Sequence, residues 1–382
     1  MSCFINRWVR VALMVLASTF GLTMGGGVSS AFAAELDYGK VGSPVHLVVG
    51  YQPYYTESWS GVVMRDKKLY EKYLPKGSTV DFSVGLQGAV IVNAMLAGKQ
   101  HIGYMGDMPA IVSTTKENVA DIRIVATLGL GFDQCNIFLA RMDAPQFANA
   151  KEGIKWLNGK QVAVPKGSCT DRFAQAVFQK EGVKPAAYLN QSIEVITSGF
   201  RAKKIDAAVI WEPTASRLVA EGLAKRLASG ASVNENDGGF LAIRADLIKQ
   251  RPDVVKAWLN AELDAQLFLA NPKNAQEVAR MAVAQTTGFS EKVLWSSLYG
   301  KYPEAVGGTP VRLVLPYTIT PEASALITKA TTFLHSIKSI NVSKLRPNAV
   351  MPEFTQAILK ERGLKSPIAT IKAMADTEYK GK

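Results

Sequence analysis

The chain has 382 residues, with 44 Lys and Arg against 32 Asp and Glu and a formal net charge of +12. This length allows one large two-lobed protein or two ordinary domains, each with a substantial core. The basic residues are dispersed, with no run longer than pairs such as Lys67-Lys68 and Lys203-Lys204, and no nucleic-acid motif accompanies them. This pattern argues against nucleic-acid binding.

The N-terminus has the features of a secretory signal peptide. Arg7 and Arg10 precede an apolar run over residues 11–24, and Ala31-Phe32-Ala33 supplies a small-x-small cleavage site. The run is shorter than the roughly 20 residues that span a bilayer, which weighs against a permanent anchor. We therefore predict that residues 1–33 are removed and that the mature protein is exported to the periplasm.

Short β-branched runs alternate with helical stretches in the first part of the mature chain. We predict strands at residues 45–49, 79–84, 101–105 and 122–127, with helices at residues 59–74 and 89–96 between them. This alternation is typical of an α/β protein with largely parallel strands. Ligands bind at the carboxyl edge of such sheets, where the aromatic loop Gly50-Tyr51-Gln52-Pro53-Tyr54-Tyr55 would lie.

A second series of elements follows a glycine-rich crossing at residues 129–132. It comprises predicted strands at residues 136–139, 161–164, 193–196 and 207–210, with a loop at 197–199, and a return crossing near residues 232–239. From Pro252 onward the pattern is helical. We predict lobe I at residues 44–132, lobe II at 133–234, a helical return to lobe I at 235–345, and a tail at 346–382 that packs on lobe I or is partly disordered.

Two turns have the form of anion-binding helix starts. Gly106-Asp107-Met108-Pro109 combines a glycine turn with a proline that can open a helix, and Pro165-Lys166-Gly167-Ser168-Cys169-Thr170 follows a predicted strand. Backbone N–H groups at a helix start face outward and bind anions. Two such turns on separate segments predict a ligand held between two lobes.

Cysteine and histidine usage argues against catalysis and metal binding. After removal of the signal peptide only Cys135 and Cys169 remain. In an oxidising compartment they can form a disulfide, and the alternative is two small buried hydrophobic residues. No histidine lies near either cysteine in sequence, and the three histidines are isolated. We predict no catalytic residue, no metal and no cofactor.

Several segments, in their order and spacing, resemble the substrate-binding proteins of nitrate, taurine and aliphatic-sulfonate ABC importers. The matching pieces are Gly50-Tyr51-Gln52-Pro53, Ala94-Met95-Leu96-Ala97-Gly98 with the Gly106 turn, Lys203 to Pro213, and Ile243-Arg244-Ala245-Asp246. The resemblance implies a type II periplasmic binding fold, α/β with mixed sheets and a cleft between lobes. It also implies a monomer that closes on a small anion and delivers it to an inner-membrane permease.

The candidate ligand-binding residues follow from these turns and from the resemblance. Asp107 either caps its helix or binds the amino group of a zwitterion, and Arg172 either pairs with the anion or lies on the surface beside Asp171 or Glu181. The full set is Tyr51, Gln52, Tyr54, Trp59, Gln87, Gly88, Asp107, Met108, Ser168, Cys169, Thr170, Arg172, Trp211 and Glu212.

The aromatic residues near the first strand favour an organic anion, namely a sulfonate, a taurine-like compound or a carboxylate. Gly85-Leu86-Gln87-Gly88 and Cys169 depart from the residues expected of taurine-type members and leave the ligand open. The alternatives are nitrate or bicarbonate, a thiamine-precursor pyrimidine, a periplasmic sensor on the same fold, and an enzyme similar to the thiamine-pyrimidine synthases.

Overall fold

The computed structural model describes residues 35–381, so the predicted signal peptide lies outside the described residues. The strands are β1 (His46–Tyr51), β2 (Thr79–Val84), β3 (Ile102–Gly106), β4 (Ile122–Gly131), β5 (Ile137–Arg141), β6 (Gln161–Val164), β7 (Ala187–Asn190), β8 (Ala207–Ile210), β9 (Ala224–Ser229), β10 (Asp237–Arg244), β11 (Val311–Leu315) and β12 (Ala369–Lys372).

The α-helices are α1 (Ser60–Lys67), α2 (Gly88–Leu96), α3 (Asp107–Thr114), α4 (Ala150–Trp156), α5 (Cys169–Glu181), α6 (Ile193–Arg201), α7 (Thr214–Ala220), α8 (Ala245–Gln250), α9 (Pro252–Ala270), α10 (Ala275–Gln285), α11 (Glu291–Tyr299), α12 (Pro321–Ser336) and α13 (Glu353–Glu361). Within residues 35–381 no helix combines the length and the hydropathy that crossing a bilayer requires.

The strands form two mixed sheets, one in each lobe. The first sheet has the order β12-β11-β4-β10-β3-β1-β2 and the second β7-β6-β8-β5-β9. In the first, β1 runs parallel to β2 and β3, whereas β10 runs antiparallel to β3 and β4. The second sheet likewise combines parallel β6–β7 and antiparallel β5–β8 pairs. The predicted two-lobed α/β fold with mixed sheets is confirmed.

Residues 132–136 and 230–236 connect the two sheets. The glycines predicted to cross between lobes belong instead to strands, since Gly129 on β4 pairs with Gly239 on β10. The two connections approach each other at Gly230, where an added Cβ would lie 2.5 Å from the Phe132 carbonyl oxygen and 2.0 Å from that of Glu235. Only glycine fits this position.

The predicted strand at residues 193–196 is wrong, because these residues begin helix α6. The Ser192 side chain accepts a hydrogen bond from the Val195 amide at its N-terminus, and Ile193, Ile196 and Phe200 are buried together on one face. Their spacing of three and four residues is helical. The strand of this region is β7, which pairs with β6.

The tail packs on the first lobe. Helix α13 contacts α9, and β12 pairs antiparallel with β11 at the edge of the first sheet. Buried Ile358, Leu359 and Ile371 join the core that surrounds Trp258. The edge strand therefore covers β11 and contributes apolar contacts to lobe I.

Candidate functional site

A cavity of about 270 Å³ is lined by loop and helix residues of the two lobes. We call it the aromatic cavity, because three aromatic side chains and two aliphatic ones line it beside one arginine. Its lining residues are Tyr54, Leu86, Ile193, Glu194, Trp211, Thr214, Arg217, Thr287 and Phe289. The combination of apolar walls and a few polar groups is typical of small-molecule sites.

One wall of the aromatic cavity comes from the lobe that contains the first sheet. Tyr54 follows β1, and its hydroxyl accepts a hydrogen bond from the Thr287 amide at 3.1 Å. The Tyr54 and Phe289 ring centroids are 6.0 Å apart, with the ring planes tilted by 52°. These contacts hold the loop after β1 against the α10–α11 connection, so that both rings are fixed in place.

The opposite wall comes from the second lobe. Trp211 follows β8, and its indole Nε1 donates to the Tyr54 carbonyl oxygen across the cavity at 3.1 Å. On α7, Arg217 donates from Nη2 to Thr197 Oγ1 at 3.3 Å, and its guanidinium carbon lies 4.5 Å from the centre of the Phe289 ring. Each wall therefore contacts the other directly.

Arg217 supplies positive charge to the aromatic cavity. Within residues 35–381 its Nε has no hydrogen-bond partner, and the nearest carboxylate oxygen, on Glu221, is 3.9 Å away. Partial burial lowers the pKa of Arg217, but an arginine side chain keeps its proton in proteins. The guanidinium is thus charged and incompletely paired at the wall of a cavity.

The structure brings two predicted residues, Asp107 and Arg172, into a buried ion pair. Arg172 Nη2 donates to Asp107 Oδ2 at 3.1 Å and to the Asn236 carbonyl at 2.9 Å. Only 2% of Arg172 is exposed, so the prediction that it lies on the surface beside Asp171 or Glu181 is wrong. Burial raises the pKa of Asp107, and the neighbouring guanidinium opposes that rise. Asp107 also accepts the Met108 amide at 2.7 Å, within the first turn of α3 rather than as its cap.

A pair of buried carboxyl groups lies near this ion pair. Glu57 and Asp237 influence each other's pKa, and among the described residues Glu57 Oε1 and Asp237 Oδ1 are both buried without a hydrogen-bond partner, so that one shared proton would join them. Tyr55 donates its hydroxyl to Glu57, and Asp237 accepts the Cys135 amide at 2.6 Å. Burial raises the pKa of Glu57 well above its ordinary range and that of Asp237 to about 7. The pair therefore holds a proton that exposed carboxyl groups would lose.

At the predicted turn before α5, polar side chains bond within the turn itself. Ser168 Oγ donates to the Pro165 carbonyl at 2.5 Å and lies 2.7 Å from Thr170 Oγ1. Cys169 is bridged to Cys135, with 6.3 Å between the Cα atoms. The disulfide joins the connection at residues 132–136 to the helix that carries Arg172.

Other predicted residues also make internal contacts. Glu212 pairs with buried Arg226 and accepts the Ser216 amide at 2.9 Å, so both of its oxygens are engaged. Gln52 donates to the Tyr104 carbonyl at 3.3 Å. Gly88 begins α2 so close to Pro109 that an added Cβ would lie 2.3 Å from the proline Cγ.

Three further candidates, Tyr51, Trp59 and Met108, are fully buried in apolar cores, and half-buried Gln87 precedes α2. Of the predicted set, Tyr54 and Trp211 line the aromatic cavity. Sequence reasoning missed Leu86, Ile193, Glu194, Thr214, Arg217, Thr287 and Phe289. Arg217 follows the Trp211-Glu212-Pro213 motif by one helical turn, which is the signal that could have identified it.

The described residues contain no group of three or more His, Cys, Asp or Glu side chains arranged to hold a metal ion. The site instead combines a cavity, aromatic walls and a guanidinium. This arrangement can bind a small anion that also carries an apolar part.

Comparisons with known proteins agree with this architecture. The chain is 26% identical over 251 residues to the taurine-binding periplasmic protein of Escherichia coli K12, covering 62% of this chain and 73% of that protein. The alkanesulfonate-binding protein SsuA of Xanthomonas axonopodis pv. citri, solved bound to MOPS, superimposes with a TM-score of 0.63 and 19% identity, over 81% of this chain and 98% of that one.

The same fold also occurs in an enzyme. The desulfurization enzyme DSZB superimposes with a TM-score of 0.59 at 15% identity, over 83% of this chain and 99% of that one.

A model of the NMT1-like family matches residues 42–283. Since this match covers more than half of the 382 residues, the chain belongs to the NMT1-like family.

Proposed function

We propose that this protein is the exported solute-binding component of an ABC importer and that it captures a small organic anion in the aromatic cavity. The observation that carries the proposal is Arg217, an incompletely paired guanidinium at the wall of a cavity built from both lobes. The similarity to taurine-binding and aliphatic-sulfonate-binding proteins supports this choice of ligand class. A sulfonate, a taurine-like compound or a carboxylate fits the guanidinium as a bidentate partner.

Capture occurs by hinge closure. Residues 132–136 and 230–236 are the two connections between the sheets, and they form the hinge. Lobe I then comprises residues 44–132 and 235–345, and lobe II comprises residues 133–234. Trp211 bonds to the Tyr54 carbonyl, and the Thr56 amide donates to the Glu212 carbonyl at 3.4 Å. Opening would break these contacts and expose Arg217, whereas a ligand that touches both walls would favour the closed population.

The closed monomer would deliver its ligand to an inner-membrane permease after export and removal of residues 1–33. No bond is made or broken in this cycle, so the protein acts without a catalytic residue. The two cysteines of the mature chain are joined to each other, which supports a binding role over a thiolate mechanism.

A thermal-shift screen of the mature protein tests the proposal. The protein is first unfolded and refolded to remove bound ligand, then heated with nitrate, bicarbonate, taurine, alkyl and aryl sulfonates, carboxylates and thiamine-precursor pyrimidines. A ligand at a hundredfold excess over its dissociation constant adds roughly 2.7 kcal/mol to the free energy of unfolding. We expect a selective rise with organic anions. No rise with any compound would contradict the proposal and favour a sensor role.

A further inference from the structure

The aromatic cavity has features that select among organic anions. The inference drawn from them rests on the function proposed above. Its volume of about 270 Å³ lies just below the roughly 300–1,000 Å³ of drug-sized ligand sites. A single ring with one acid group fills such a space. Nitrate would leave the walls of Tyr54, Trp211 and Phe289 unburied.

The walls favour an aromatic ring over an aliphatic chain. Tyr54 and Phe289 meet at a tilt of 52°, and Trp211 is held by its bond to the Tyr54 carbonyl. Aromatic rings attract one another when their faces and edges are offset in this way. A planar ligand ring can therefore contact fixed rings on both walls without ordering a flexible chain.

The charges of the cavity favour a single negative charge. Arg217 is the basic residue of the lining, and exposed Glu194 on α6 is the acidic one. The guanidinium can pair with one sulfonate or carboxylate head. A second anionic group on the same ring would approach the Glu194 carboxylate and be repelled by it.

We infer that the preferred ligand is an aromatic monoanion whose acid group pairs with Arg217 and whose ring lies between Trp211 on one wall and Tyr54 and Phe289 on the other. This assigns Arg217 as the residue that binds the acid group and Phe289 as a residue that determines specificity. Phe289 has two roles, because its ring also contacts the Arg217 guanidinium.

Calorimetric titration of the refolded mature protein with matched sulfonates tests the inference. Benzenesulfonate is compared with cyclohexanesulfonate, which has similar bulk without a π system, with benzene-1,3-disulfonate, which adds a second charge, and with taurine. We expect benzenesulfonate to bind about threefold to tenfold more tightly than cyclohexanesulfonate, and more tightly still than the disulfonate or taurine. Equal or tighter binding of taurine, cyclohexanesulfonate or the disulfonate would overturn the inference while leaving the proposed function intact. If no organic anion bound, both the inference and the proposed function would be contradicted.

Two variants and one control variant test which residues determine affinity and specificity. Arg217→Gln should weaken benzenesulfonate binding by about tenfold or more, because it removes a charge-assisted hydrogen bond. Arg280→Gln, which removes the same charge from an exposed position on α10 outside the cavity lining, should leave the affinity unchanged. Phe289→Leu should reduce the preference for benzenesulfonate over cyclohexanesulfonate while both still bind. An unaltered affinity in Arg217→Gln, or an unaltered preference in Phe289→Leu, would overturn the inference. If either variant failed to fold, the comparison of ligands on the unmodified protein would still test it.

Discussion

Arg172 and Arg217 both lie in lobe II and contact lobe I, yet they are set in different surroundings. Arg172 is 2% exposed and bonds to the Asp107 carboxylate at 3.1 Å. Its Nη1 lies 3.7 Å from the Glu235 carboxylate, and within residues 35–381 its Nε and Nη1 have no hydrogen-bond partner. Among the described residues, Arg217 has no carboxylate within hydrogen-bond distance, and it lies beside a cavity. A buried arginine that pairs with a carboxylate stabilises a closed interface, whereas an arginine that binds a ligand needs space beside its charge.

Removing Arg172 provides the strongest test of this comparison. Arg172→Met should lower the free energy of unfolding by about 3–5 kcal/mol, because it leaves the Asp107 carboxylate buried and unpaired. Urea unfolding measures the loss. The double variant Asp107→Asn/Arg172→Met should recover much of it, since no charge is then left uncompensated. A small stability loss together with strongly weakened ligand binding would show instead that Arg172 is a ligand residue.

The disulfide attaches the helix that carries Arg172 to the connection between the lobes, so we expect its removal to lower the stability of the protein. Cys135→Ser/Cys169→Ser opens a bridge between residues 34 positions apart, which should cost roughly 3 kcal/mol of stability. Reducing agent should lower the stability of the unmodified protein to the same level and have no effect on the double variant. Insensitivity of the unmodified protein to reductant would contradict the bridge.

The raised pKa values of Glu57 and Asp237, two residues near Arg172, predict that the free energy of unfolding depends on pH. Burial raises both pKa values in the folded state, so the folded protein retains a proton that the unfolded chain loses above about pH 4. The free energy of unfolding should therefore fall as the pH rises toward and past 7, by roughly 1 kcal/mol per pH unit for one proton.

Glu57→Gln isolates this contribution, because its amide can donate to an ionised Asp237 without a titrating proton. Urea unfolding of both proteins between pH 5 and 8 should give a stability difference, unmodified protein minus variant, that decreases with pH. His101, whose pKa burial lowers to about 4, has the opposite dependence at acid pH, but it is present in both proteins and cancels. A difference that is constant with pH would contradict the shared proton.

The smallest expected effect belongs to an ion pair outside both regions. Lys256 Nζ lies 2.8 Å from Glu361 Oε1, and both side chains are about half exposed. Lys256→Ala should change the free energy of unfolding by about 1 kcal/mol or less, because solvent screens the pair. A loss as large as that of Arg172→Met would show that burial does not explain the difference between ion pairs in this protein.

Local patterns in the sequence determined much of the fold. Strands β2, β6 and β8 occupy the predicted residues, and helix α9 begins at the predicted Pro252. Short apolar runs specify these strands, and a proline specifies the start of this helix. Such signals depend only on residues that are close in sequence. The error at residues 193–196 arose because a short apolar run fits a strand or a helix, and the N-terminal contact of Ser192 decided for the helix.

The candidate site depended on tertiary structure. Tyr54 and Trp211 were recognisable from their loops, but Leu86, Thr287 and Phe289 are brought to the cavity by packing between segments far apart in sequence. The sequence by itself placed Asp107 and Arg172 at helix starts that suit an anion. Only the folded chain showed that these two charges pair with each other, because burial makes an uncompensated charge costly, and that Arg217 instead lies beside open space.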